Sequence, residues 1–544
     1  MAESLFSIKR GQQFGYLLLS AALLTLSFPK TSWSFLAWVA FIPLFKALER
    51  QPARKRLALG YTMGFTYSLG VFYWVTHSMR YYGHLSVPIS ISMLVLLALY
   101  LALFPAVFGL LWGLFPGGGL FSLIWAPALW VGLEYLRAGL LSGFPWALVG
   151  YSQYTLLPLI QVAEYTGVYG LSFLILIINQ AIYQLFLKSG DNRPWSAKWG
   201  EAALAGGLLL LVIFHGYAVL PEDRKADDQS EQLKVSIIQG NIDQSLKWNP
   251  THQEETIKIY TDLSHKSLSE LSGIKPQAPL DKTTPLLIWP ETAVPFYFLN
   301  EQRLTGRIFE LSRETNSHLL FGSPAVGQQN QRLYYYNRAY LLSPSGQVAY
   351  YDKVHLVPFG EYVPLKRFLP FVHRLVESIG EFSTGPRPYG LDHPQGKIGV
   401  LICFETIFPE ISRALKRDGC RLLVNITNDA WFGQTSAPYQ HLSMLTLRAV
   451  ENRVWIARAA NTGFSALIDS SGRIVQKSSL FEKATIQAII PLREGSTFYS
   501  RYGDWLVGFC FLVVMGGLLS RGLRGRTKPG PGRGPRSMKT KGAS

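Results

Sequence analysis

The apolar residues of this chain fall into three zones. Over 15–220 one long apolar stretch follows another, over 231–492 short apolar runs alternate with polar ones, and a last apolar run covers 505–519. A membrane span takes ~20 mostly apolar residues. On that measure the pattern predicts eight spans, at about 15–28, 33–48, 57–77, 86–115, 119–138, 168–187, 201–220 and 503–520. The first two are short and flank Phe28-Pro29-Lys30, which predicts a tight helical hairpin. Lys9 and Arg10 precede the first run as they would in a signal peptide, but apolar segments continue directly after it without a small-residue cleavage site, so it is read as a span.

The middle zone has a different rhythm. Short β-branched runs predict strands at 235–239, 286–289, 318–321, 398–402, 422–426 and 454–459, and helical periodicity predicts helices over 251–272, 302–315, 409–418 and 438–452. The runs 340–342 and 347–351, joined by Ser343-Pro344-Ser345-Gly346, predict a hairpin. Alternating strands and helices argue for an α/β layered domain. In open sheets of that kind functional side chains gather at the carboxyl ends of strands.

Charge adds an orientation. Only 16% of the 544 residues are charged, against roughly 25% in soluble domains. The net charge is +17, but eight positive and no negative residues lie in 521–544, so the excess is local and no nucleic-acid partner is expected. Lys46, Arg50, Arg54, Lys55 and Arg56 crowd the second–third connection, and Lys188, Arg193 and Lys198 lie in the sixth–seventh. The segment 139–167 has no Lys or Arg, and 78–85 has only Arg80. With eight spans, the positive-inside rule puts every basic connection and both termini in the cytoplasm, and the middle zone on the opposite side. The expected organisation is a seven-span membrane domain over 1–222, a catalytic domain over 231–493, an eighth span at 503–520 and a disordered basic tail over 521–544. Three cysteines are too few for a disulfide scaffold, and no Cys/His cluster has metal spacing.

Three ionisable residues stand at strand ends. Glu291 follows Leu286-Leu287-Ile288-Trp289-Pro290, Lys353 follows Tyr350-Tyr351-Asp352, and Cys403 follows Gly399-Val400-Leu401-Ile402. Singly, they read as a helix cap, a solvated lysine and a small buried thiol. Together they resemble the Glu–Lys–Cys triad of the nitrilase (carbon–nitrogen hydrolase) superfamily. The surrounding blocks sharpen the likeness: Gln239-Gly240-Asn241-Ile242 through Lys247-Trp248, WPETAVP at 289–295, KVHLVPFGE at 353–361 and NITNDAWFG at 425–433. In this order, behind seven apolar stretches, they resemble the apolipoprotein N-acyltransferases, integral membrane enzymes that complete bacterial lipoprotein maturation.

That resemblance implies an αββα sandwich on a multi-pass helical membrane domain, in the bacterial inner membrane, with the catalytic domain periplasmic and the protein a monomer. It implies that a fatty acyl chain passes from a phospholipid to Cys403 as a thioester, then to the N-terminal amine of a diacylglyceryl-cysteine apolipoprotein, with no cofactor and no metal. Glu291 would move the protons, and Lys353 would favour the thiolate and hold the oxyanion together with the backbone N–H after Cys403. Glu361 and Glu405 would keep Lys353 charged and oriented, with Asn337 near the site. Trp248, Trp431 and Phe432 would line an apolar approach, and Phe144 and Trp146 would form its membrane-side wall. One position departs from the family, Phe404 standing where Tyr is usual, so no hydrogen bond can come from that side chain. A Cys403–His355 dyad is a competing arrangement. A membrane-anchored amidase for small amides, and a transporter or scaffold with an inactive outer domain, are the competing functions.

Overall fold

A computed structural model of the protein describes residues 10–115, 118–228, 230–274, 284–329, 331–363 and 381–526. Most of the basic tail, 527–544, lies outside the described residues.

Among the described residues the middle zone holds twelve strands: β1 (Gln232–Gln239), β2 (Leu286–Ile288), β3 (His318–Gln329), β4 (Arg332–Leu342), β5 (Val348–Asp352), β6 (Gly390–Leu391), β7 (Ile398–Ile402), β8 (Leu422–Thr427), β9 (Trp455–Ala460), β10 (Ala466–Ile468), β11 (Ile474–Lys477) and β12 (Ala484–Pro491). They form two six-stranded sheets, ordered β12-β1-β2-β3-β4-β5 and β11-β10-β9-β8-β7-β6. The central neighbours β1–β2–β3 and β7–β8–β9 are parallel, and the outer pairs are antiparallel.

These central strands read as unbroken apolar runs because both of their faces are covered. Val235, Ile237, Leu286 and Ile288 of the first sheet meet Val400, Ile402, Val424 and Ile426 of the second in one core. The alternate residues Leu287, Leu319 and Phe321 pack outward on helices Pro250–Ser272 and Gln302–Glu314 through Ile257, Tyr260, Leu304 and Ile308. Behind the second sheet, Leu401, Leu423 and Ile456 pack with Leu415 of Pro409–Arg417 and Leu442 and Leu445 of Ala437–Asn452. The domain is thus helix–sheet–sheet–helix. Its last layer shares a continuous core with the N-terminal helices, including Trp146, Tyr151 and Ile160.

Outside this domain the long helices are Arg10–Ser27, Ala53–Phe72, Val87–Leu101 with Leu103–Trp112, Leu120–Gly139, Val168–Ile182, Trp195–Asp228 and Trp505–Arg526. Among the described residues three are long and apolar enough to cross a membrane by themselves, Val87–Trp112, Val168–Leu187 and Trp195–Asp227. The stretch 33–48, expected as one arm of a hairpin, is broken into a 3-10 turn, Ser34–Trp38, and a short helix, Ile42–Leu48. Pro43 suits the restart, since a proline fits a first helical turn, where its missing N–H costs no hydrogen bond. The expected span 57–77 likewise ends at Phe72, and a separate helix, Val75–Tyr81, follows.

The basic connections meet at one end of the bundle. Lys46 Nζ donates to the Leu187 carbonyl (2.9 Å) and to Ser189 Oγ (2.7 Å), and Arg50 Nη2 donates to the Ser189 carbonyl (2.9 Å). From that end, Ala53–Phe72 runs roughly 30 Å at 1.5 Å per residue. It arrives under the α/β domain, where Gln440 Nε2 donates to the Val71 carbonyl (3.3 Å) and the Ser436 N–H to Tyr73 Oη (3.1 Å). The α/β domain therefore sits on the end opposite the basic connections. Trp195–Asp228 continues past its apolar part and braces the domain from below: Trp455 Nε1 donates to Asp227 Oδ2 (2.9 Å), Ser470 Oγ to Asp223 Oδ2 (2.8 Å), and Arg493 reaches both carboxylates.

Candidate active site

Glu291, Lys353 and Cys403 stand just beyond β2, β5 and β7. Lys353 is buried, its Nζ 2.9 Å from Glu361 Oε1 and 3.7 Å from Glu291 Oε1. Asn337, on β4, ties the same two carboxylates together, donating through Nδ2 to Glu291 Oε1 (2.8 Å) and Glu361 Oε1 (2.9 Å). The other Glu291 oxygen accepts the Asn428 N–H (2.9 Å). Burial opposes the charge on Lys353, but Glu361, Glu291 and Cys403 outweigh it and hold the ammonium well above its ordinary range. One fixed cation, shared by two carboxylates that an amide links, is the electrostatic centre of the site.

Cys403 opens a 3-10 turn, Cys403–Ile407, with φ +50°. That left-handed backbone is unusual for a residue with a Cβ and costs roughly 1–2 kcal/mol. Burial, and after it the charge of Glu291, pushes the thiol far above its usual value, and Lys353 only partly offsets them. Lys353 does pull toward the thiolate, as expected of it, but burial and Glu291 outweigh that pull. For such a thiol to act as a nucleophile its proton would have to leave during attack, which calls for a base in place.

Glu405 was expected beside the ammonium, yet its oxygens are engaged elsewhere. Oε1 accepts from the N–H groups of Val354 (2.7 Å) and His355 (3.3 Å) and from Tyr351 Oη (3.0 Å), and Oε2 accepts from the Ile402 N–H (2.7 Å). It ties the chain around Lys353 to the chain around Cys403, a backbone clamp in place of an ion pair. Burial lifts its carboxyl to about 7. The Phe404 ring packs edge-on to Phe408, and His355 lies over Phe408 with centroids 3.7 Å apart. Burial, then Lys353, lowers the His355 imidazole to about 4, so this ring is a packed neutral group.

The expected aromatic wall divides. Phe144, Trp146 and Phe432 join Trp74 in one cluster, with Trp146–Phe432 centroids 5.8 Å apart and Trp74–Phe432 5.2 Å. Trp146 is 1% exposed, and its Nε1, like that of Trp74, donates to Gln440 Oε1 (2.8 and 3.1 Å). It is locked in core packing between the helices and the α/β domain. Trp431 sits edge-on to Tyr82, its carbonyl accepting from Ser78 Oγ (2.7 Å). Trp248 is 49% exposed and stands apart from this cluster.

Two features escaped sequence reasoning. Lys247 is buried, donates to the Glu291 carbonyl (3.2 Å) and is lowered to about 8 by burial, so a second amine supports the Glu291 loop from behind. Beneath Cys403 lies a buried cluster of Asp429, His441 and Arg458. His441 Nδ1 is 3.1 Å from Asp429 Oδ1 and 3.2 Å from Arg458 Nη2, and Arg458 also bonds Asp429 Oδ2. Burial works against the Asp429 charge, but Arg458 and His441 hold it well below the usual carboxylate range. Asp429 lies inside the conspicuous block 425–433; nothing local marks the other two.

Comparison with known proteins decides the family. Residues 20–181 match the apolipoprotein N-acyltransferase N-terminal domain, and residues 234–497 match the carbon–nitrogen hydrolase family. A protein of Geobacter metallireducens named apolipoprotein N-acyltransferase is 47% identical over 493 residues, 90% of this chain and 92% of that one. The chain belongs to the apolipoprotein N-acyltransferase family. A Methylococcus capsulatus member with the same name is 32% identical, over 90% of this chain and 93% of its own. Saccharomyces cerevisiae Nit3, a nitrilase-superfamily member, aligns at 18% identity and TM-score 0.37, covering 48% of this chain and 92% of its own. Glu291, Lys353 and Cys403 all fall in the carbon–nitrogen hydrolase part of this two-part family.

Proposed function

We propose that this chain transfers a fatty acyl chain from a membrane phospholipid to the N-terminal amine of a diacylglyceryl-cysteine apolipoprotein. The observation that carries this reading is the 47% identity, over 90% of the chain, with a protein named for that activity. A small-molecule amidase would need neither the long helical part nor its match to the family's N-terminal domain.

The chemistry follows from the site in two balanced steps. Cys403 Sγ attacks the ester carbonyl carbon; its proton passes through Glu291 to the departing glycerol oxygen, the ester C–O bond breaks and a thioester forms. The apolipoprotein amine then attacks the thioester, a C–N bond replaces the C–S bond, and an amine proton returns through Glu291 to sulfur. In both steps the negative charge on the carbonyl oxygen falls to Lys353 and to the Phe404 N–H. Fixed donors of this kind are worth about 10²- to 10³-fold each. Glu361 and Asn337 keep the ammonium charged and aimed, Glu405 clamps the two chain segments, and Phe144, Trp431, Phe432 and Trp248 offer apolar surface to the acyl chains, with Trp146 bracing them from behind.

The helical part, 1–222, and the segment 503–520 cross the inner membrane eight times in this reading. The basic connections and both termini are cytoplasmic, the domain 231–493 is periplasmic, and the enzyme works as a monomer. Support comes from the contact of Lys46 and Arg50 with the Leu187–Ser189 connection, at the end of the bundle away from the α/β domain. A reporter fused after Leu220 is expected to read out as extracytoplasmic; a cytoplasmic signal would overturn the span count.

Acyl-enzyme formation tests the function itself. Purified protein incubated with phospholipid and no acceptor is expected to gain one acyl mass on the Cys403 peptide, removable by hydroxylamine. Intact-protein mass spectrometry showing no adduct, or one on another residue, would reject the ping-pong scheme.

A further inference from the structure

We infer that Thr406 and His441 are positioning residues for the oxyanion hole: by gripping the carbonyl end of the Cys403–Phe404 peptide group they aim its N–H end at the carbonyl oxygen under attack. The inference rests on the reading of Cys403 as the nucleophile.

The peptide group is planar, with C=O and N–H on opposite sides. Whatever fixes the Cys403 carbonyl therefore fixes the direction of the Phe404 N–H. At the first turn of Cys403–Ile407 that N–H has no acceptor within the helix, which leaves it available to a substrate. It also follows a residue at φ +50°, a conformation that persists only where the surroundings over-determine it.

The surroundings do so at the carbonyl. Thr406 Oγ1 donates to the Cys403 carbonyl oxygen from 2.9 Å. His441 Nε2 stands 3.2 Å from the same oxygen and 2.6 Å from the Thr406 hydroxyl, so carbonyl, hydroxyl and ring nitrogen close a triangle of polar atoms. The ring has little freedom. Its other nitrogen lies against Asp429 and Arg458, and Arg458 is itself anchored on the Phe464 carbonyl (3.0 Å) and Asn425 Oδ1 (2.5 Å). The face of the ring stacks on Trp146, with centroids 5.6 Å apart and planes at 24°. Thr406, His441, Asp429, Arg458 and Trp146 are all buried. Trp146 comes from the helical part, so the aim of the oxyanion donor is set jointly by the α/β domain and by the wall next to the bilayer. Thr406 and His441 contact the backbone carbonyl of the nucleophile, and of this cluster only the charge of Asp429 acts on its thiol, which separates the role of Thr406 and His441 from that of Glu291.

That separation supplies the test. Attack on an ester builds an oxyanion, whereas alkylation by iodoacetamide displaces iodide from a saturated carbon and builds none. Thr406→Val, which keeps the shape and removes the hydroxyl, and His441→Phe, which keeps the stack on Trp146, are compared with the wild-type protein. Both variants are expected to form acyl-Cys403 from phospholipid about 10- to 100-fold more slowly, a fraction of what outright loss of a donor removes. Their Cys403 alkylation rates by iodoacetamide should stay within about 3-fold of wild type. If both rates fall together in Thr406→Val, the nucleophile itself has been disturbed and the inference fails. It fails equally if acyl-enzyme formation stays within 2-fold of wild type in both variants. His441→Phe puts a ring without nitrogens beside Asp429 and Arg458 and is the variant more exposed to misfolding; Thr406→Val keeps the test decisive. Absence of any acyl adduct on wild-type Cys403, measured first, would instead sink the nucleophile reading.

Discussion

The Cys403→Ala enzyme is expected to lose acyl transfer by about 10⁴-fold or more while staying folded, as when the nucleophile is taken from other covalent acyl-transfer enzymes. Without Sγ the acyl chain has no intermediate resting place, and an ester would have to be aminolysed in a single step. The fold should tolerate the change. The sulfur is a small group, and its loss is worth on the order of 1 kcal/mol. The unusual backbone at Cys403 is held by contacts made to its neighbours and its carbonyl, from Thr406, His441 and Glu405. Thermal unfolding within a few degrees of wild type, with no acyl product by mass spectrometry, is the expected pair of results. A wild-type rate would remove the thioester from the mechanism. The thiol's raised value adds a pH signature to the wild-type protein. Burial and Glu291 keep it protonated, so the reactive fraction grows about tenfold per pH unit below its midpoint, and alkylation should climb from pH 7 to 10 without levelling off.

The sequence made the elements around Glu291 and Cys403 legible because each follows an apolar run that is buried on both faces, whereas Lys353 follows a partly exposed edge strand. β7 and β8 read as plain apolar segments, and their interiors are fully buried. Less visible was the β3–β4 ribbon. Only 318–321 and 340–342 read as strand, whereas pairing runs from Leu319–Leu342 out to Gln329–Arg332. The outer half carries Pro324, Gly327, Gln328 and Arg332, which weaken the strand signal, and several of its side chains are exposed. Asn337 sits in that ribbon, so its link to both Glu291 and Glu361 depends on a register the sequence did not announce. The cluster under Cys403 was hidden for the opposite reason. Gln440, His441, Thr446, Arg448 and Glu451 on Ala437–Asn452 look like the solvated side of an amphipathic helix, yet all are buried, because the helical bundle covers that side. The one hint is that this polar face has no lysine, the residue that ordinary solvated faces use freely. Glu405 shows the same limit: sequence places an acid beside Cys403, and only the fold shows that it accepts from four donors while still feeling the charge of Lys353.

Removing the central cation should separate what that charge does for folding from what it does for chemistry. In Lys353→Met the buried Glu291 and half-buried Glu361 carboxylates keep the Asn337 amide between them and the backbone N–H groups of Asn428 and Val357, but have no ammonium. Two such groups cannot both stay charged without a counter-ion, so at least one takes up a proton, and the site loses its base together with its oxyanion cation. Loss of one fixed donor is worth about 10²- to 10³-fold, and loss of the base about 10²- to 10⁴-fold more, so acyl-enzyme formation should drop by at least ~10³-fold. Breaking a buried ion pair from one side also destabilises the fold by roughly 3–5 kcal/mol, visible as a shifted denaturant midpoint. The double variant Lys353→Met with Glu361→Gln removes the stranded charge. It should recover much of the lost stability and none of the activity. Recovery of turnover in the double variant would mean that Lys353 serves only to neutralise Glu361, and would move the oxyanion cation elsewhere, with Lys247, buried behind the Glu291 loop, a candidate amine.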